Sequence, residues 1–374
     1  MSQSGAKYVV ELPTAELKLG SCATSDRWLP HGLGRRTLGG VAARRKVPWR
    51  PRGSRPFGGH TRPVLCSAGE SLDLANDKAR QGAASGVVAG ESVGQEQSQR
   101  DFYQINNLYD TISGQDNIHH GFYPHLARDG RELVVLDNVQ ASMALTQRMI
   151  ALGGIDRTSK VLDLGCGKGL SCSTIAKLTG ASCVGVDLTP KHIERANALA
   201  ATTAGIERGQ LTFVEGSFTE LPSEALALGP FSHVFSQVAF CHVHAELPAI
   251  LAQVKQALAP GGVAVINDML GASGPPASED DVADAAAVYR RLHFEVLHGH
   301  QAWRRIVEEA GFTLEHYENW DAHMLKSYED RRDKAEALGA EMADGTPLAT
   351  NFEQTVRAVR ARQIGMNFAI LTVD

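Results

Sequence analysis

The stretch Val161-Leu162-Asp163-Leu164-Gly165-Cys166-Gly167-Lys168-Gly169 decides the fold. Apolar residues at 161, 162 and 164 form a short run that stops on glycine, which reads as a strand entering a turn. Residues 170–178 then repeat at helical spacing, so the turn joins a strand to a helix. Gly165, Gly167 and Gly169 carry no Cβ, so the backbone there can approach a ligand and adopt positive φ. The start of the following helix offers unpaired N–H groups. A dinucleotide fingerprint requires its third glycine at 170, where the chain has Leu170; the spacing is instead G-x-G-x-G. Asp163, just inside the strand, suits a cationic amino group better than a pyrophosphate.

Outward from this turn, strand and helix patterns alternate. Strands are expected at 160–164, 182–186 (closed by Asp187), 211–214, 232–236, 263–267, 312–320 and 366–373. Helices are expected at 139–152, 170–178, 191–204, 247–259 and 303–310. Thr189 and Pro190 mark one helix start, and Pro260-Gly261-Gly262 stops another. Such alternation predicts an α/β, doubly wound sheet covered on both faces. Ligands of these sheets bind beyond the carboxyl ends of the strands. Three strand tips there carry polar candidates: Asp187-Leu188, Glu215-Gly216-Ser217-Phe218 and Ser236-Gln237. A carboxylate at 187 can accept from two ribose hydroxyls, and Phe218 can stack on an adenine.

The 374 residues carry a net charge of -5, which disfavours nucleic acid as a partner. No apolar run is long enough to span a bilayer. Six cysteines without a C-x-x-C pair indicate neither a zinc site nor a disulfide framework, so no metal is expected; Cys241, His242 and His244 read as a plain loop. Residues 1–98 differ from the rest. Ten Lys/Arg and no acid lie between Arg27 and Arg62, and 67–100 is rich in Gly, Ala, Ser and Gln. This composition reads as a disordered leader, either a transit peptide of plastid type or a plain disordered tail, so the expected location is plastid or cytoplasmic. The domain proper is expected over 99–374.

From about residue 105 to the end the chain resembles the class I S-adenosylmethionine (SAM)-dependent methyltransferases. The resemblance implies a Rossmann-like seven-stranded sheet with one antiparallel strand near the C-terminus. It also implies a helical lid over 101–150 and an insertion over 269–300 that closes the pocket for a small-molecule methyl acceptor. By the same resemblance Asp163, Gly165, Cys166, Gly167 and Gly169 hold the methionine part of SAM, Asp187 and Leu188 the ribose, Ser217 and Phe218 the adenine, and Ser236 and Gln237 the cleft floor.

Two subfamilies share the acceptor side. Arg290-Arg291-Leu292-His293-Phe294-Glu295, Gln301-Ala302-Trp303-Arg304-Arg305, Ser236-Gln237 and Asn267-Asp268-Met269 resemble the sarcosine/dimethylglycine methyltransferases of betaine synthesis. Val238 and Asn267 depart from that pattern, which has an acid and a threonine there. Tyr109-Asp110, His119-His120-Gly121-Phe122-Tyr123 and Glu194-Arg195-Ala196-Asn197 resemble the plastid tocopherol (prenylquinol) methyltransferases. The C-terminal half favours nitrogen methylation. Catalytic candidates are His119, His120, Tyr109 and His293, with Arg291 for a substrate carboxylate. Each has a plainer reading as a packing residue, His293 as a core histidine on an apolar helix, or, for Arg291, as a partner of Glu295 one helical turn on. A SAM-binding module without catalysis is the alternative of another class, and an NAD oxidoreductase is disfavoured by Leu170.

Overall fold

Strand β1 (Lys160–Leu164) lies in the middle of a seven-stranded sheet of order β3-β2-β1-β4-β5-β7-β6. The computed structural model describes residues 112, 119–126, 136–342 and 345–373. The leader, Tyr109 and residues 101–111 of the expected lid lie outside these residues. The strands are β2 (Ser182–Asp187), β3 (Leu211–Glu215), β4 (Phe231–Gln237), β5 (Leu258–Leu270), β6 (Thr313–Asn319) and β7 (Gly365–Thr372). β1 to β5 pair in parallel and β7 runs antiparallel between β5 and β6. This is the doubly wound sheet expected from the alternation, with the seven strands and one antiparallel member that the resemblance implies.

Side chains alternate across the sheet with period two. Val161, Phe235 and Val265 enter one apolar cluster, and Leu162, Val234, Ala264 and Ile266 the other. On the first face lie α1 (Asn138–Leu152), α2 (Leu170–Thr179) and two C-terminal helices, α8 (Asp321–Leu338) and α9 (Leu348–Arg360). The second face is covered by α5 (Leu247–Ala257) and α7 (His300–Glu309). The other helices are α3 (Pro190–Thr202), the single turn α4 (Ser223–Leu226) and α6 (Glu279–Arg291). Among the described residues no helix is long and apolar enough to cross a membrane.

Local chemistry sets several boundaries. Asp137 and Gln140 form a reciprocal capping box at the start of α1. Gly169 and Gly180, both in the left-handed region, bracket α2. Ser278 and Asp281 box the start of α6, whose first turn is acidic and last turn basic, as the helix dipole favours. The helix expected to run to 259 and stop at Pro260-Gly261-Gly262 ends earlier, at Ala257; those three residues lie within β5, which pairs from Leu258, where the register with β4 jumps.

Four of these helices were not read from the sequence, the single turn α4 and the longer α6, α8 and α9. α6 lies within the expected insertion, and α8 and α9 complete the C-terminal half. α8 buries His323, Ser327 and Arg331 alongside Met324 and Tyr328, so its inward face carries no apolar stripe. One expectation is corrected here. His293 does not sit on an apolar helix; it follows α6 in a left-handed conformation, φ 55°.

Candidate functional site

The three glycines of the turn all have positive φ, at 76°, 51° and 80°. The N–H groups of Gly165 and Cys166 both donate to the Val186 carbonyl, which hangs the turn on β2. A Cβ on Gly165 would lie 2.3 Å from Ala239 Cβ, and one on Gly169 2.8 Å from Ala196 Cβ and 2.9 Å from Phe213. These two glycines are required by packing. A Cβ on Gly167 would meet nothing within 4 Å. Gly167 therefore faces open space at the strand tips, which leaves a ligand room to approach the backbone. Cys166 is buried, with its sulfur 2.7 Å from where a Cβ on Gly185 would stand. It packs the turn onto β2.

Asp187 ends β2 and is held on both oxygens. Oδ1 accepts from Thr189 N (2.9 Å) and from the His192 ring (3.0 Å), and Oδ2 accepts from Gly167 N (2.9 Å). A carboxylate has about four lone-pair positions. Three are taken, so one on Oδ2 is left for a ligand hydroxyl, where the sequence suggested two. His192 was not singled out in the sequence; its place in the first turn of α3, five residues after Asp187, brings it back onto that carboxylate. Leu188 follows, partly exposed.

Beneath the turn Asp163 is buried against Cys172, whose sulfur lies 3.3 Å from Oδ2. Burial pushes its carboxyl up to about 7; the Cys172 hydrogen bond opposes this and the Asp187 charge adds to it. Near neutral pH Asp163 is thus poised between its neutral and charged forms, and a cation beside it would favour the charged one.

At the tip of β4, Ser236 donates to the Leu164 carbonyl at 3.0 Å and is buried, so it ties β4 to β1. Gln237 is fixed by two hydroxyls: Thr146 (3.1 Å) from α1 and Ser171 (3.2 Å) from α2 both reach Oε1. With the carbonyl oxygen so occupied, buried Nε2 has no hydrogen-bond partner. Two N–H donors are thereby left buried and unpartnered at the tip of β4. The next residue, Val238, is left-handed at φ 56°, a strained state for a β-branched side chain. Ser217 shares a 2.7 Å hydrogen bond with Thr219. Phe218 lies 5.3 Å from the Phe240 ring and packs over Gly165.

On the acceptor side the expected residues divide. His119 and His120 lie in the described segment 119–126, and His119 has the Gln237 side chain as a hydrogen-bonding neighbour. Burial lowers His119 to about 4, against the Gln237 bond, and nearby Arg331 lowers it further. His120 is pushed well down by burial, with Arg331 and His119 adding to it. Neither ring nitrogen of His120 has a hydrogen-bond partner. His242 is also lowered to about 4 by burial, opposed chiefly by Asp268. All three are neutral at physiological pH. Arg291 is elsewhere: it donates to Gln354 Oε1 (3.2 Å) and Thr355 Oγ1 (2.6 Å) and fastens α6 to α9. His293 lies beside His242, whose ring it pushes further towards the neutral form. Among the described residues no His/Cys/Asp/Glu group could hold a metal; His244 instead bonds Asp268 at 3.0 Å.

Residues 161–262 match the family model described as a methyltransferase domain. Together with the sheet order and the glycine turn, this decides the class. The chain carries a class I methyltransferase domain. The chain is 26% identical over 237 residues to tocopherol O-methyltransferase, chloroplastic, of Arabidopsis thaliana, covering 62% of this chain and 65% of that one. It is 24% identical to sarcosine/dimethylglycine N-methyltransferase of Halorhodospira halochloris, covering 60% and 74%. The crystal structure of a putative sarcosine dimethylglycine methyltransferase from Galdieria sulphuraria superposes with a TM-score of 0.59 at 19% identity, over 74% of this chain and 98% of that one. The chain spans just under two thirds of the Arabidopsis relative and 52% of a second tocopherol methyltransferase from rice. The domain's cofactor is SAM. The site fits it: open space at Gly167, a remaining acceptor position on Asp187, and a buried carboxyl at Asp163.

Proposed function

We propose that this chain transfers the methyl group of SAM to a small molecule held between the lid segment and α6. The open backbone at Gly167 opposite Asp187 carries this reading. The glycine turn and Asp163 would receive the methionine end, Asp187 a ribose hydroxyl, and Phe218 with Ser217 the adenine. SAM supplies an activated methyl group. The chain's own residues have to align the nucleophile and keep water out. Neutral His119 is within reach of the Gln237 floor and can accept a proton from the nucleophile.

Of the two acceptor classes, the geometry supports a phenolic or quinol ring best. Phe122, Val238, Tyr289 and Leu292 pack, partly exposed, on one apolar cluster and come from the lid, the β4 tip and α6 with its exit. The charge beside the two lid histidines is the cation Arg331, which disfavours an ammonium there. Nitrogen methylation of sarcosine or dimethylglycine towards betaine is the second reading. It is favoured by neutral His119, which can take the ammonium proton, but Arg291 is engaged by α9 rather than left for a carboxylate.

The test is incubation with labelled SAM and a panel of sarcosine, dimethylglycine and methylated hydroquinones, reading product mass and S-adenosylhomocysteine. Methylated quinol is the expected product. Betaine alone would move the assignment to the second reading, and tight SAM binding without turnover on any acceptor would make this a binding module. A plastid location belongs with the quinol reading, since the two plant relatives are chloroplastic by name. Leader cleavage on import into isolated chloroplasts would bear it out, and an uncleaved, excluded chain would remove it.

A further inference from the structure

The lid segment is held by one face of α8. Residues 323, 327, 331 and 334 are spaced by four, four and three, which puts them on a single stripe. Each reaches the lid or the residue described before it. His323 Nδ1 accepts from Tyr123 N (3.1 Å), and Ser327 Oγ accepts from Gly121 N (2.8 Å). Arg331 Nη2 donates to the His119 carbonyl (2.7 Å), and Lys334 Nζ to the Ile112 carbonyl (2.8 Å). The lid residues that bond, 119, 121 and 123, alternate with two whose rings pack. His120 lies 5.2 Å from the Tyr328 ring, and Phe122 lies 4.8 Å from His323. The opposite side of the segment is closed by α1. Phe122 N donates to the Ala141 carbonyl at 2.8 Å, and a Cβ on Gly121 would lie 2.5 Å from Ala141 Cβ.

Arg331 is the costly member of the stripe. Its residue is 4% exposed, and its guanidinium lies 5.3 Å from the Tyr328 ring centre. Burying a cation is unfavourable unless its environment compensates. A neutral side chain would serve packing alone at lower cost. What the guanidinium adds is a charge-assisted hydrogen bond to the backbone carbonyl of the residue whose ring meets Gln237.

We propose that Arg331 is a positioning residue for methyl transfer, the anchor of a side-chain ladder on α8 that holds His119 against the Gln237 floor. The proposal rests on the methyl-transfer reading given above. The ladder fixes the lid backbone, and Thr146 with Ser171 fixes Gln237, so the two halves of the acceptor site are set from opposite sides. The charged and titratable groups facing the histidine pair are Arg331, Tyr123 and Tyr328, with the Lys326–Asp330 pair on the same helix. Removing the guanidinium therefore both frees the lid backbone and lets the two imidazoles titrate at higher pH.

The experiment compares the full-length chain with Arg331→Met and Arg331→Lys. It reads amide exchange at Gly121 and Tyr123, imidazole titration by nitrogen-15 NMR, and SAM affinity by calorimetry. In Arg331→Met both amides should exchange about tenfold faster, the scale of one lost charge-assisted hydrogen bond. His119 and His120 should titrate upward, while SAM affinity stays within about twofold because Asp187 is untouched. Arg331→Lys keeps the charge but not the planar guanidinium whose Nη2 reaches the His119 carbonyl, so exchange should rise while the histidines stay depressed. Exchange and titration both unchanged in Arg331→Met would overturn the proposal. If that variant fails to fold, Ser327→Ala removes only the acceptor of the Gly121 amide; faster exchange there supports the ladder and unaltered exchange overturns it. With whichever acceptor the panel yields, kcat of Arg331→Met should fall about tenfold at nearly constant KM for SAM; an unchanged kcat also overturns it. Exchange and titration need no turnover, so a chain inactive on every acceptor would sink the proposed function and leave the ladder intact.

Discussion

Gly167 and Gly169 look alike in the sequence and do different work. Both need positive φ, which costs an L-residue roughly 1–2 kcal/mol. Only Gly169 also has Ala196 and Phe213 pressed against it. Gly169→Ala should therefore lose about 2–4 kcal/mol of stability through strain and overpacking, seen as a lowered urea midpoint. Gly167→Ala should cost about 1 kcal/mol in stability but more than about tenfold in SAM affinity, because its new methyl occupies the open space. Equal losses in both variants would show that the turn is only structural. Asp187→Ala should weaken SAM binding by roughly 1–3 kcal/mol. Calorimetry giving the unaltered affinity would take Asp187 out of the ribose role.

At the level of elements, α6 is a braced wall. Arg357 of α9 grips Asp284 with two bonds of 2.6 Å, and Arg291 reaches Gln354 and Thr355 from the other end of α6. Bidentate arginine–carboxylate geometry is the strong form of the interaction, although Arg357 is half exposed and solvent screens it. Asp284→Ala should lower stability by about 1–2 kcal/mol and raise hydrogen exchange in 279–291 selectively. Uniform exchange changes along the whole chain would mean that α6 is not an independently braced unit. Arg291, expected to meet a substrate carboxylate, acts in the structure as the second brace.

Across the whole molecule, pH couples to the buried Asp163. Its carboxyl titrates near 7 when folded, against a usual 3.8. The folded chain thus holds a proton that the unfolded chain releases between those values. Stability falls as pH rises from about 4 to about 7 and remains lowered above that. Asp163→Asn, which cannot ionise, should lose less melting temperature between pH 5 and pH 8 than the unaltered protein. Parallel losses in the two proteins would place the Asp163 carboxylate in a better-solvated setting than its burial indicates.

The sequence alone determined what depends on neighbours along the chain. The 165–167–169 spacing, the strand run before it, the acid at the end of the second strand and the order of strands and helices are local patterns, and local backbone preference settles them. It missed α8 and α9, because helices that bury histidine, serine and arginine show no apolar stripe to read. It also placed His293 on a helix and Arg291 in the pocket, since nothing local says which way a side chain leaves a helix end. Tertiary structure alone decided which side chains complete the site. Thr146 meets Gln237 across 91 positions and Arg331 meets the His119 carbonyl across 212. Such contacts are fixed by how helices pack on the sheet, and that packing is a property of the whole core rather than of any segment in it.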